Sequence, residues 1–267
     1  MTLAPLAAAA FFLAVAMSAF MRLATAIERR TGNSGWIDVV WTFGLGTTGV
    51  LGALLPFGAG PWSRRLLVAA LALAWALRLG LHIAGRTRGI SDDPRYARMK
   101  RDWGSDAPRR LARLLQMQAL VSIPLGLGIV LAAHNPAPAL GWADAAGVAL
   151  FATGLIGGAV SDSQLRAFAS SGQGGVCERG LWRWSRHPNY FFECVLWCAY
   201  AGIALAPGYA FGWLALLAPA CMTLLLGRIS GIPPLEEHML AKHGDAYRAY
   251  QQRTSALIPL PPKGTRT

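Results

Sequence analysis

Residues 194–227, CVLWCAYAGIALAPGYAFGWLALLAPACMTLLLG, form a run of 34 residues without a charge. A bilayer core is about 30 Å thick, and about 20 apolar residues cross it as a helix. The run is too long for one crossing, and Ala206-Pro207-Gly208 breaks it near its middle. It therefore reads as two helices joined by a tight turn. Working outward, the same test finds the other crossings. No charge falls in residues 1–21, in the 25 residues 39–63, in the 30 residues 114–143 or in the 17 residues 145–161. Residues 66–85 form a further apolar stretch, interrupted by Arg78 and His82. The predicted fold is all-α and polytopic, a single unit over 1–267 with seven membrane helices. They lie at about 3–21, 36–56, 66–85, 114–133, 143–161, 189–206 and 209–227.

Composition agrees. Of 267 residues, 54% are hydrophobic and 14% charged, with mean hydropathy +0.38. A soluble domain carries about 25% charge. These values exclude a soluble globular enzyme, a disordered chain, a collagen and a disulfide scaffold. The first apolar span lacks a basic leader region and is longer than a signal-peptide core, so it reads as a retained helix. The four cysteines, Cys177, Cys194, Cys198 and Cys221, show no zinc spacing and suit apolar packing.

A net charge of +12 suggests nucleic acid until its distribution is read. With the N-terminus outside, the inner segments 22–35, 86–113, 162–188 and 228–267 hold 3, 9, 4 and 6 of the 25 Lys and Arg. The outer segments hold only Arg64 and Arg65, and Arg78 lies within a span. Such a bias orients a protein in the membrane with its basic loops in the cytoplasm. It places the C-terminus in the cytoplasm and assigns most basic residues to topology and anionic lipid contact. The expectation is a multi-pass integral membrane protein of the bacterial inner-membrane or endoplasmic-reticulum type. No nucleic-acid or protein partner is predicted, and no histidine spacing points to a metal.

Chemistry concentrates in residues 180–193, GLWRWSRHPNYFFE, which lead into a membrane helix. Pro188 suits the first turn of that helix. Asn189 and Glu193 are four apart, so they share a helical face. An acid one turn into a membrane helix is costly unless paired. Trp182, Trp184 and Tyr190 also suit a plain interfacial anchor. Arg78 is a buried membrane arginine that demands a counter-charge, either as a ligand site or as a structural ion pair. Arginine forks grip phosphates, and Arg86, Arg95, Arg166, Arg179, Arg183, Arg186 and Arg253 lie on the inner side. Gly172-Gln173-Gly174-Gly175 reads as a flexible loop more than a phosphate cradle.

The stretch 180–193 resembles the GLW-x-x-SRHPNY-x-GE signature of the DUF1295 membrane proteins. These are relatives of the steroid 5-alpha-reductases and, more distantly, of the sterol C14 reductases and the isoprenylcysteine methyltransferases. Trp75-x-x-Arg78-Leu79, Asp93-Pro94-Arg95-Tyr96, Ser161-Asp162-Ser163-Gln164 and the tail IPPLEEHMLAKHGDAYRAYQQRTSALIPLPP are similar to further family patterns, in order, from about residue 36 to the end. The resemblance implies a seven-helix reductase using NADPH, held mainly by residues 75–267. It implies cofactor-binding roles for Arg78, Asp162, Arg186, Asn189, Tyr190 and Glu193. Arg95 joins them as a phosphate candidate. Glu236, Glu237, Tyr247, Tyr250 and Arg253 fall in the tail that covers the cofactor. In the steroid reductases a glutamate on the second helix and a tyrosine on the third polarise the enone. Asp38, the only ionisable group of the second helix here, is the corresponding acid, with Trp75 at the tyrosine's place. A carboxyl in an apolar site stays protonated and donates; an acid near a helix N-terminus also has a plain dipole reading. The chain departs from the family at Trp75 and at Phe192, where the signature has glycine.

Three functions follow. The first is NADPH-dependent reduction of the C=C of an enone-bearing lipid such as a 3-oxo-delta4-steroid. The second is S-adenosylmethionine-dependent methyl transfer of the isoprenylcysteine type. The third is a non-catalytic lipid-binding or scaffold role. The predicted ligands are a lipid-soluble small molecule and membrane lipids.

Overall fold

The computed structural model describes residues 1–263, and among them the regular structure is helical. The chain divides into two compact units. Unit 1 comprises Met1–Gly147 with Tyr200–Ala218, and unit 2 comprises Val148–Ala199 with the chain from Pro219 onward.

The helices are α1 (Leu3–Thr31), α2 (Gly35–Leu54), α3 (Trp62–Arg88), α4 (Pro94–Trp103), α5 (Ala107–Val121), α6 (Ile123–Ala133), α7 (Trp142–Ser170), α8 (Pro188–Ala204), α9 (Leu217–Leu224), α10 (Ile232–His243) and α11 (Asp245–Arg253). Among the described residues, six stretches are long and apolar enough to cross a membrane: α1, α2, α3, the run Pro94–Ala133, α7 and the run Gly212–His243. The sequence expectation adds a seventh at 189–206, which corresponds to α8; with 17 residues, or about 25 Å at 1.5 Å per residue, α8 is shorter than these six. Pro188 sets its start, and it ends before the Pro207-Gly208 turn, where Gly208 has φ +74°. The expected helix 114–133 is also two, α5 and α6, broken at Ser122 just ahead of Pro124.

In unit 1, α1 ends at Gly32, whose φ of +70° places it in the left-handed region and sends its N–H back to the Glu28 carbonyl. α2 and α3 approach so closely that a Cβ on Gly46 would lie 2.2 Å from the Ala76 methyl. Small residues permit this in membranes, where dispersion packing replaces the hydrophobic effect. The loop after α6 is held by Arg64 at the start of α3. Its guanidinium pairs with Asp144 through two bonds of 2.8 and 2.9 Å. It also donates to the carbonyls of Asn135, Ala137 and Ala139 at 3.0, 2.5 and 2.5 Å. Arg65 caps α2 by donating to the Ala53 and Leu54 carbonyls. Both basic residues of the sequence's outer segments thus have structural work.

In unit 2, α7 and α8 pack through a glycine notch. A Cβ on Gly157 would fall 2.3 Å from the Phe192 ring, and one on Gly154 would fall 2.6 Å from the Phe192 carbonyl. Phe192 therefore fills space that glycine vacates on the facing helix. The C-terminal tail lies along the segment before α8. Arg186 N–H donates to the Ser255 carbonyl at 2.9 Å, and Leu260 N–H donates to the Trp184 carbonyl at 3.0 Å.

Arg64 is 1% exposed and Asp144 6%. Removing one partner of such a pair leaves a buried charge and costs ~3–5 kcal/mol. Arg64→Met is expected to lower stability by that order, measured by thermal or denaturant unfolding in detergent. An unchanged midpoint would contradict the clamp.

Candidate functional site

The first polar cluster belongs to unit 1 and gathers at the ends of α1, α2, α3 and α4. Asp93 caps α4, its carboxylate accepting from Arg95 N–H at 3.0 Å, with Pro94 in the first turn. The Arg95 guanidinium then grips the same carboxylate at 3.0 Å through both Nε and Nη2 and reaches Asp38 through Nη2. Tyr96 O–H donates to Asp38 Oδ1 at 3.3 Å and accepts from Gln118 Nε2 at 3.2 Å. Around them, Lys100 bridges Glu28 at 3.0 Å and Asp92 at 2.8 Å. Ser34 N–H donates to Asp92 at 2.8 Å, and Asn33 Nδ2 caps α3 at the Thr87 and Ile90 carbonyls.

Burial pushes the Asp93 carboxyl up, but the bonds and charge of Arg95 outweigh it and hold the group below the usual carboxylate range. Burial likewise raises Asp92, and Lys100 and Ser34 bring it below its ordinary value.

The second cluster belongs to unit 2 and surrounds the start of α8. Asn189 Nδ2 donates to Asp162 Oδ1 at 3.1 Å, joining α8 to α7. Glu193 Oε1 accepts from Trp197 Nε1 at 2.9 Å, one turn further on. Arg186 donates to Glu236 Oε1 at 2.6 Å and to the Gln251 carbonyl at 3.1 Å, and also bonds the Thr254 carbonyl. Gln251 Nε2 donates to the other oxygen of Glu236 at 2.8 Å. Burial pushes the His187 imidazole below its usual value against the opposing pull of Glu236. The Glu236 carboxylate can only accept, so His187 Nε2–H donates to its Oε1 at 3.1 Å, while the ring stacks on Tyr190 with centroids 5.5 Å apart. Tyr250 O–H donates to the Trp182 carbonyl at 2.5 Å, and Arg253 forks onto Glu178 at 2.9 and 2.5 Å.

With this geometry in place, comparison with known proteins decides the family. Residues 24–254 match the family model described as "Protein of unknown function (DUF1295)". The chain belongs to the DUF1295 family. It is also similar to an uncharacterized protein of Schizosaccharomyces pombe, with 31% identity over 86 residues. That match covers 30% of this chain and 22% of the yeast protein.

The site residues expected from sequence fall in both units of this DUF1295 protein. Asp38, Trp75, Arg78 and Arg95 lie in unit 1, and the rest lie in unit 2. Asp38 and Arg95, expected in separate roles, form one ion pair. Facing a guanidinium and a phenol, the Asp38 carboxylate accepts hydrogen bonds there; the donors around it are Arg95 and Tyr96. Trp75 is fully buried and packs edge-on to Trp41, with centroids 6.2 Å apart. Arg78 is half-buried on α3. In unit 2, Asp162 meets Asn189 directly. Arg186, Tyr190 and Tyr250 belong to the knot around the tail, and Arg253 pairs with Glu178. Glu236 enters that knot, whereas its neighbour Glu237 is exposed.

Asp92, Gln118 and Glu178 carry no signal of their own in the sequence. Asp93 and Tyr96 are legible only as part of the DPRY run, and the Tyr96 partners Asp38 and Gln118 lie far away in sequence. His187 is legible only as part of the signature.

A folded-state value held below the unfolded one makes the Asp93 contribution fully present above the ordinary aspartate value of about 3.9. It is lost as the pH falls below that value. Asp93→Asn is thus expected to be less stable than wild type at pH 7, with the gap narrowing from pH 5 to 3. A pH-independent gap in unfolding midpoints would oppose this assignment.

Proposed function

We propose that this DUF1295 protein is an NADPH-dependent membrane reductase acting on the C=C of an enone-bearing lipid, such as a 3-oxo-delta4-steroid. The observation that carries the proposal is the bond between Asn189 and Asp162. The family resemblance assigns each of them to the cofactor independently, and they meet at the polar start of α8. A carboxylate and an amide there suit the hydroxyl and carboxamide groups of a nicotinamide nucleotide.

The phosphates need cations. Arg95, Arg186 and Arg253 are held by carboxylates of the chain itself, so their first task is to shape the fold. Arg179 and Arg183 are exposed, and no ion pair involves them among the described residues. Arg179 follows a loop in which Gly172, Gly174 and Gly175 have φ of +68°, +65° and +77°. These two guanidiniums are the better phosphate ligands. NADPH, when bound, supplies the hydride. The chain supplies orientation through Asp162, Asn189 and Glu193. In unit 1, Asp38 fixes Arg95 and Tyr96.

In the membrane, α8 is the seventh crossing, short but apolar, with the N-terminus outside. The charge split supports this: without that crossing, the basic tail would lie on the side opposite the other basic segments.

Purified protein in detergent should be stabilised against heat by NADPH and not by S-adenosylmethionine. Asn189→Ala and Asp162→Ala should weaken NADPH binding about tenfold or more while the unliganded protein still melts cooperatively. Stabilisation by S-adenosylmethionine alone would replace the reductase with a methyltransferase. A response to neither would favour a non-catalytic role.

A further inference from the structure

An open cleft lies in unit 2, apart from the residues just discussed. α9 does not run directly into α10. It widens into a π-turn, Leu225–Ile229, closed by Ser230 N–H donating to the Leu225 carbonyl at 2.8 Å. Such turns are rare and recur at functional sites. Opposite, the tail is pinned by Ser185, whose hydroxyl donates to the Leu257 carbonyl at 2.8 Å. Between the π-turn and the tail is an open cleft of about 640 Å³, a size typical of small-molecule sites. Its walls include Pro219, Thr223, Leu224, Gly227 and Leu257, and Arg228 is its single charged residue.

Three features define the occupant. The walls are apolar, and Leu224 is 54% exposed, so one side of the cleft is a surface suited to hydrocarbon. A Cβ placed on Gly227 would meet nothing within 4 Å, so the turn leaves room instead of filling it. Arg228 is the first charge after the 34-residue apolar run, is exposed, and makes no ion pair or side-chain hydrogen bond among the described residues. A cation at the end of an apolar span, beside an apolar cleft, matches an acyl chain joined to an anionic headgroup.

We propose that the cleft between the π-turn and the tail binds one anionic membrane phospholipid, its phosphate at Arg228 and an acyl chain along Pro219, Thr223 and Leu257. The site is independent of the reductase reading and survives its failure. An arginine near an anionic headgroup contributes ~1 kcal/mol, or about fivefold in affinity.

The test titrates detergent-solubilised full-length protein with dioleoyl phosphatidylglycerol or dioleoyl phosphatidylcholine and counts bound lipid by native mass spectrometry. Wild type should hold one phosphatidylglycerol about fivefold more tightly than phosphatidylcholine. Arg228→Gln should abolish that preference, and Arg228→Lys should keep most of it. Gly227→Leu should weaken both lipids by filling the cleft. Arg228 is on the surface, so its variants should melt like wild type without lipid. Equal affinities for the two lipids, or a preference that survives Arg228→Gln, would overturn the proposal. So would displacement of the lipid by inorganic phosphate at similar concentration, or a lipid-free dimer that Gly227→Leu dissociates.

Discussion

A guanidinium taken out of water carries five N–H donors and a charge, and each must be met by the protein. That constraint organises both units. Arg64 meets Asp144 and three carbonyls of one loop, and Arg65 meets the last carbonyls of α2. Arg95 joins Asp38 to Asp93. Arg186 joins Glu236 to carbonyls of the tail, and Arg253 holds Glu178. In a chain with so few charges, these contacts fix where apolar helices begin and how their connections return. Arg65 also satisfies carbonyls that the end of α2 would leave without a partner.

The consequence for function is a division of labour within the signature. Ser185, Arg186, His187 and Tyr250 bond the segment before α8 to the chain's own tail. Asp162, Asn189 and Glu193 lie further along α7 and α8, on helices rather than loops, where positions are fixed by packing. Phe192 contributes to that packing by filling the notch at Gly157. Its bulk is matched by a glycine on the facing helix, which accounts for a phenylalanine where the family signature has glycine.

Much of the fold was legible because membrane helices announce themselves by what they lack. Charge-free runs located α1, α2 and α7, and the stretch around Arg78 located α3; α2 and α3 fall within a few residues of expectation, whereas α1 continues to Thr31 and α7 to Ser170, past the expected ends at 21 and 161, because both helices run on into charged residues. Pro188 as the start of α8 and the Pro207-Gly208 break after it followed from local chemistry. Together they placed α8 to within two residues, 188–204 against an expected 189–206. The division of α5 from α6 was signalled by Pro124 but hidden inside an apolar run. Within the sites, residue types were legible and partners were not. Asp38 and Arg95 stand 57 positions apart, and no spacing rule joins them. Choosing Glu236 over Glu237 needs the phase of α10, since adjacent helical residues point about 100° apart. Arg64 looked like an outer topology charge because its carboxylate lies 80 residues away.

The central claim is that the signature arginine, Arg186, holds unit 2 together through Glu236. A double-mutant cycle tests it most directly, with Arg186→Gln and Glu236→Gln made singly and together and unfolding followed in detergent without ligand. The account predicts a coupling of ~0.5–3 kcal/mol between the two sites, the range for partners in one hydrogen-bond and salt-bridge network. Additive effects, within ~0.5 kcal/mol, would contradict it.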